Sequence, residues 1–278
     1  MAELELTDER RTELAALLGD ERRLRDEFPL VADYLDTAGR LAGSGDQRAD
    51  AAFDLRFVHY LTGGGAGNPY WEIVAPSVSR GVVNGGRSTG SARLAYAQTL
   101  LQSAYAYAIP APGTLDWIAE FCGSRPLLEL GAGRGYWAAQ LSALGLKVEA
   151  FDSEPPDRNE NMSFPGSAGL PATWHEIGDL AAYSEHTSGD RDEVLMLCWP
   201  PGWGDTMASQ ALARFENSGG DRLVYIGEPR GGKTGDDAFF EALDSRWALE
   251  SVDPHYVSWW NLTDTAQAWV RRTWACSM

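Results

Sequence analysis

Three stretches of this chain bring together residue types that could do chemistry. In RPLLELGAGRGYWAAQLSALGLKVEAFDSEPP (125–156), an apolar run ends in Glu129 and glycines follow at 131, 133 and 135. A glycine turn of this form lets backbone amides come close to a ligand. A second apolar run ends in Asp152, 17 residues beyond Gly135. A carboxylate at such a place can accept two hydrogen bonds from a diol, and charge-assisted bonds are stronger than neutral ones. The second stretch is LCWPPGW (197–203), aromatic and stiffened by two prolines. The third, GEPRGGKTGDDAFF (227–240), offers Glu228, Asp236 and Asp237 to position a substrate or accept a proton.

The spacing narrows the choice of ligand. A dinucleotide fingerprint, G-x-G-x-x-G, would need its third glycine at position 136, where Tyr136 stands. The lysine and Ser/Thr of a phosphate-binding loop are also missing. Tyr136 and Trp137 at the start of the following helix would crowd a pyrophosphate. The turn reads E-x-G-x-G-x-G, and with it the chain, over residues 115 to about 275, resembles the class I S-adenosylmethionine-dependent methyltransferases. LLELGAGRGYW is similar to the first motif of that family, VEAFDSEP to the second and EIGD to the third.

The resemblance implies S-adenosyl-L-methionine as cofactor. The glycine turn would meet its methionine part, Asp152 its ribose hydroxyls and Asp179 its adenine amino group. The cofactor set expected on this basis is Tyr107, Glu129, Gly131, Gly133, Gly135, Tyr136, Asp152, Asp179 and Cys198. Tyr107, in YAYAIP, would cover the sulfonium or the adenine, a cation over an aromatic face being favourable by about 1 kcal/mol. Packing of Tyr105 and Tyr107 in the core is the alternative.

LCWPPGW is similar to the N-P-P-Y or D-P-P-Y motif of amino-methylating enzymes, but Trp199 takes the place of the amine acceptor, which argues against base methylation. Trp199, Pro200, Pro201 and Trp203 are the expected substrate contacts, because ligands bind beyond the carboxyl ends of parallel strands. The prolines could equally just end the strand. Glu228 is the candidate catalytic residue, and Asp236 reads as a helix N-cap. His175 and His255 are candidate bases with no identifiable partner. Tryptophans at 199, 203, 259 and 260 suggest an aromatic cleft or core packing. The cysteines and histidines form no metal-ligand pattern, so no metal is expected.

These residues need elements to hold them. Residues 1 to about 60 show helical spacing, with a cap at Thr7 but no capping box. Breaks fall at 62–70 and 81–91, and a helix is expected from Ser91 to Tyr107, stopped by Pro110 and Pro112. From about 115, strands alternate with helices, ending in ALESVDPHYVSWW and AQAWVRRTW as the last two strands. That alternation implies an α/β fold, a mostly parallel sheet covered on both faces. With the resemblance, the expectation is a Rossmann-like, seven-stranded class I methyltransferase sheet carrying an N-terminal helical extension. Residues 1–110 would form the extension or lid, and 111–278 the catalytic domain.

Composition bounds the partners. The formal net charge is −17, and nucleic-acid binding normally requires a basic surface. No apolar run is long enough to span a membrane. A cytoplasmic protein with a small-molecule or peptide acceptor is expected, and a homodimer is left open. The reaction implied is methyl transfer to an O or N nucleophile. A non-catalytic cofactor-binding scaffold and a nicotinamide-dependent oxidoreductase are the alternatives.

Overall fold

The computed structural model describes residues 4–83, 91–180, 183 and 192–272. Four helices come first: α1 (Asp8–Gly19), α2 (Glu21–Glu27), α3 (Pro29–Ala38) and α4 (Gln47–Leu61). Each starts where the orphan amides of a first turn are served. Thr7, Asp20 and Asp46 accept hydrogen bonds from them, and α3 opens on a proline that has no amide to lose. Arg10 stands three residues after Thr7, so no capping box forms.

The glycine-rich break at 62–70 ends in helix α5 (Pro69–Val74), capped by the Asn68 side chain. The second break holds strand β2 (Val82–Val83), paired with β1 (Val78–Ser79). Its residues 84–90 lie outside the described set. Helix α6 (Ala92–Ala104) is shorter than its sequence pattern suggests, so Tyr105 and Tyr107 lie beyond it. Pro112 does not stop a helix but starts one, α7 (Pro112–Cys122). A proline is welcome in a first turn and only disruptive further in.

The main sheet has seven strands in the order β5-β4-β3-β6-β7-β10-β8. These are β3 (Leu127–Leu130), β4 (Val148–Asp152), β5 (Gly178–Asp179), β6 (Val194–Cys198), β7 (Arg222–Gly227), β8 (Trp247–Val252) and β10 (Thr265–Arg271). Every pairing is parallel except the two made by β10, which runs antiparallel to β7 and β8. This is the Rossmann-like sheet expected. The stretch ALESVDPHYVSWW departs from expectation: it splits into β8 and β9 (Ser258–Trp259), and β9 joins β2 in the small sheet. Pro254 has no amide for a ladder, and Asp253 turns the chain by accepting from the His255 amide.

Alternate residues of a strand point to opposite faces, and both faces here are covered. Leu128, Leu195, Leu197 and Tyr225 meet helices α9 (Met207–Asn217) and α10 (Asp237–Arg246). On the other face Leu127, Met196 and Ile226 share one core with Val31, Phe57 and Leu101 of the N-terminal helices. The apolar residues of those helices are thus continuous with the core of this face.

From β3 the chain adds neighbours in one direction, β4 then β5; from β6 it adds them in the other. A crevice opens beyond the carboxyl ends of β3 and β6, where the winding reverses, and such switch points bind ligands in open α/β sheets.

Candidate active site

The glycine turn joins β3 to helix α8 (Tyr136–Ala143). Gly131, Gly133 and Gly135 all have left-handed φ, at 75°, 55° and 70°, which side chains resist. At Gly133 a Cβ would also collide with the ring of Phe164. The buried Gly133 amide donates to Asp152 Oδ2 at 2.8 Å, and the Glu154 amide donates to Oδ1 at 2.9 Å. Two backbone amides thus fix the Asp152 carboxylate at the end of β4. Each oxygen keeps acceptor capacity for a ligand.

A cavity of about 610 Å³ opens at the switch point. Gly131, Glu129, Asp152 and Cys198 line it, brought together from the ends of three adjacent strands and the turn between them. Glu129 is 2% exposed and its Oε2 has no hydrogen-bond partner. Burial, with the Asp152 charge adding to it, pushes the Glu129 carboxyl up to about 8, against the pull of a backbone hydrogen bond from Ala138. Burial also raises the Cys198 thiol well above its ordinary range, so it stays protonated and poorly nucleophilic.

An aromatic wall closes one side. Tyr107 stacks on Trp199 with centroids 5.6 Å apart and planes at 15°, and Phe164 meets the Tyr107 ring edge-on at 5.8 Å. Trp199 has a left-handed backbone, φ 54°, and its indole N–H donates to Asp264 Oδ2 at 2.9 Å. Asp264 is buried and also accepts from the Tyr256 and Ser258 hydroxyls. Tyr105, by contrast, packs in the core against Tyr70, Tyr136 and Trp174. Of residues 1–110, the described ones at the cavity wall are Ala106 and Tyr107.

The remaining candidates stand elsewhere. Pro201 and the 83% exposed Trp203 line the cavity mouth, whereas Pro200 is buried behind it. Tyr136 turns away: its hydroxyl donates to Asn68 and accepts from the Tyr70 amide. Gly133 and Gly135 support the turn without lining the cavity. Asp179 pairs with Asp152 across β4 and β5 and is exposed; its neighbour Leu180 lines the cavity instead. Glu228 is 5% exposed and does not line the cavity; its carboxylate accepts from the amides of Lys233 and Thr263. Asp236 occupies the N-cap position of α10, yet its side chain accepts from the Ser209 amide of α9 rather than from its own helix. His175 bonds to Ser142 and the Glu176 carbonyl, and neither it nor His255 lines the cavity. Trp259 is core, its indole donating to Tyr70.

Sequence reasoning missed Arg134, the variable residue of the turn. It is 1% exposed and donates to the carbonyls of Ser103, Pro165, Pro171 and Ala172, at 2.5–3.1 Å. Burial lowers its proton affinity, as expected for a cation without a carboxylate partner. Arg134 thereby ties segment 161–175 across the turn. That segment supplies Asn161 and Phe164 to the cavity, and Asn161 shapes it by accepting from the Ser163 and Phe164 amides. A long aperiodic run after β4 was the available signal. Asp264 gave none, since nothing in sequence places it at the edge of the Trp199 ring.

The strand order and the glycine turn between β3 and α8 decide the fold. It is a class I S-adenosylmethionine-dependent methyltransferase fold. No family model matches the sequence, and no curated protein matches it. Among solved structures, the chain is similar to magnesium protoporphyrin IX methyltransferase from Synechocystis PCC 6803 with S-adenosylmethionine bound, at 15% identity over 57% of this chain and 76% of that one, TM-score 0.32. It is also similar to a mutant of MtNAS, at 14% identity over 96% of this chain and 98% of that one, TM-score 0.33. A third is LepI in complex with S-adenosylmethionine, at 14% identity over 65% of this chain and 52% of that one, TM-score 0.33. No substrate for this chain follows from them.

Among the described residues no helix is long and apolar enough to cross a membrane, and no group of His, Cys, Asp or Glu could hold a metal ion.

Proposed function

We propose that the chain binds S-adenosylmethionine and transfers its methyl group to an O or N nucleophile of a small molecule or peptide. The observation that carries this reading is the convergence of Glu129, the glycine turn and an amide-fixed Asp152 on one cavity at the switch point. The site's donors and acceptors fit that cofactor. Asp152 suits the ribose diol. The unpartnered Oε2 of Glu129 suits an ammonium group, which would complete its hydrogen bonding and draw off its proton. The Tyr107 ring at the cavity wall suits a sulfonium.

The cofactor, when bound, supplies an activated methyl and its own leaving group. What remains for the protein is placement: hold the acceptor in line and keep water out, the source of much of the rate in such displacements. The cavity agrees with that division, since Cys198 is held as a thiol and no histidine is among its described lining.

Calorimetry with S-adenosylhomocysteine and with NAD tests the reading. Saturable binding of the sulfur compound and none of NAD is expected. The reverse pattern would restore the nicotinamide alternative.

A further inference from the structure

The cavity wall beyond the end of β6 has a consistent chemistry. Trp199 and Trp203 both carry left-handed backbones, φ 54° and 52°, at either end of the PPG turn. Such conformations cost free energy for bulky residues and persist where surrounding contacts fix them. For Trp199 the fixing contacts are visible. Its amide donates to the Ile226 carbonyl at 2.7 Å, and its indole N–H donates to Asp264 at 2.9 Å. Asp264 is 5% exposed, and the Tyr256 and Ser258 hydroxyls hold it in place at the edge of the ring. A carboxylate accepting from an indole N–H pushes electron density into the ring and makes its face more negative. That strengthens attraction for a cation above the ring.

Acids predominate among the charges that line the cavity. Glu129, Asp152, Glu154 and Asp205 line the cavity, and Lys233 is the only cation among the described lining residues. With Glu129 and Asp152 given to the cofactor, Glu154 and Asp205 still outnumber Lys233. A cleft with low-dielectric walls and one predominant sign concentrates the opposite charge. The unpartnered, 2% exposed Oε2 of Glu129 marks the same cavity as one built for a ligand.

We infer that the methyl acceptor carries a positive charge, a protonated amine or quaternary ammonium group, seated against the Trp199 face with Asp264 bonded to the edge of the ring. This rests on the methyltransferase reading for the word acceptor but not for the cation site. Asp264 is a positioning residue in this scheme: it acts through Trp199 and touches no reacting atom.

The test uses the full chain, first saturated with S-adenosylhomocysteine, whose sulfur is uncharged. Choline and 3,3-dimethyl-1-butanol, its neutral isostere with carbon in place of nitrogen, are titrated separately and followed by saturation-transfer NMR. Choline is expected to bind at least about tenfold more tightly, equivalent to about 1.4 kcal/mol. Asp264→Asn retains an oxygen to accept from the indole but removes the charge; it should weaken choline several-fold and leave the isostere unchanged. Asp205→Asn, at an exposed position of the lining, should shift choline in the same direction if Asp264→Asn does not fold. Equal affinity for the two probes, or no saturable choline binding, overturns the inference. Should S-adenosylhomocysteine fail to bind, the cofactor reading fails by itself. The choline comparison on the unliganded chain then still decides the cation site.

Discussion

Glu129→Gln probes the most unusual group in the cavity. In the unfolded chain the Glu129 carboxyl ionises at its usual 4.5; in the folded chain it keeps its proton to about 8. Between those values the unfolded state releases a proton that the folded state retains. Stability therefore falls as pH rises through 4.5, continues to fall to about 8, and is level with respect to this group outside that window. Each pKa unit corresponds to about 1.36 kcal/mol, so the gap allows a loss of at most about 5 kcal/mol. Local relaxation and entry of water into the cavity reduce it toward about 2 kcal/mol. Glutamine keeps the shape and abolishes the titration. Urea unfolding of both proteins at the two ends of the window should show the variant gaining on the parent at the alkaline end only. A difference that is the same at both ends refutes the reasoning, because it would mean that Glu129 is already ionised when folded. The same argument has a binding counterpart. An ammonium placed beside Glu129 would ionise it, so S-adenosylhomocysteine binding at neutral pH should release a proton, measurable by calorimetry in buffers of different ionisation enthalpy.

Asp152→Ala should weaken S-adenosylhomocysteine by roughly 1.5–3 kcal/mol, the range for hydrogen bonds to a charged group; unchanged affinity in a folded variant would remove Asp152 from the diol. Arg134→Ala strands four carbonyls that share one buried cation, and should cost about 3 kcal/mol by urea unfolding and make segment 161–175 more sensitive to protease; an unchanged midpoint would show that water replaces the guanidinium freely. Glu228→Gln should lower the unfolding midpoint and leave S-adenosylhomocysteine affinity alone, since the carboxylate serves the Lys233 and Thr263 amides. Lost turnover at unchanged stability would instead make Glu228 the catalytic residue.

Much of this protein is local and so legible in its sequence. Glycines at alternate positions between an apolar run and a helix specify the β3–α8 turn, because no other residue takes three left-handed conformations so cheaply. The spacing to Asp152 fixes one helix and one strand between, which leaves that acid at the adjacent strand end. The cap at Thr7 also follows from short-range hydrogen bonding. What sequence could not decide is which side chain fills which space. Glu228 and Asp236 have the right chemistry for a site, yet each is drawn to unpaired backbone amides nearby, since a buried donor left unsatisfied costs more than a free carboxylate gains. Tyr136 follows the helix face that meets Asn68 and Tyr70, not the cavity. Arg134 and Asp264 owe their roles to partners some 30 to 65 positions away. Sequence periodicity reports which way a residue faces along its own element. Only the packing of elements against one another decides what it faces.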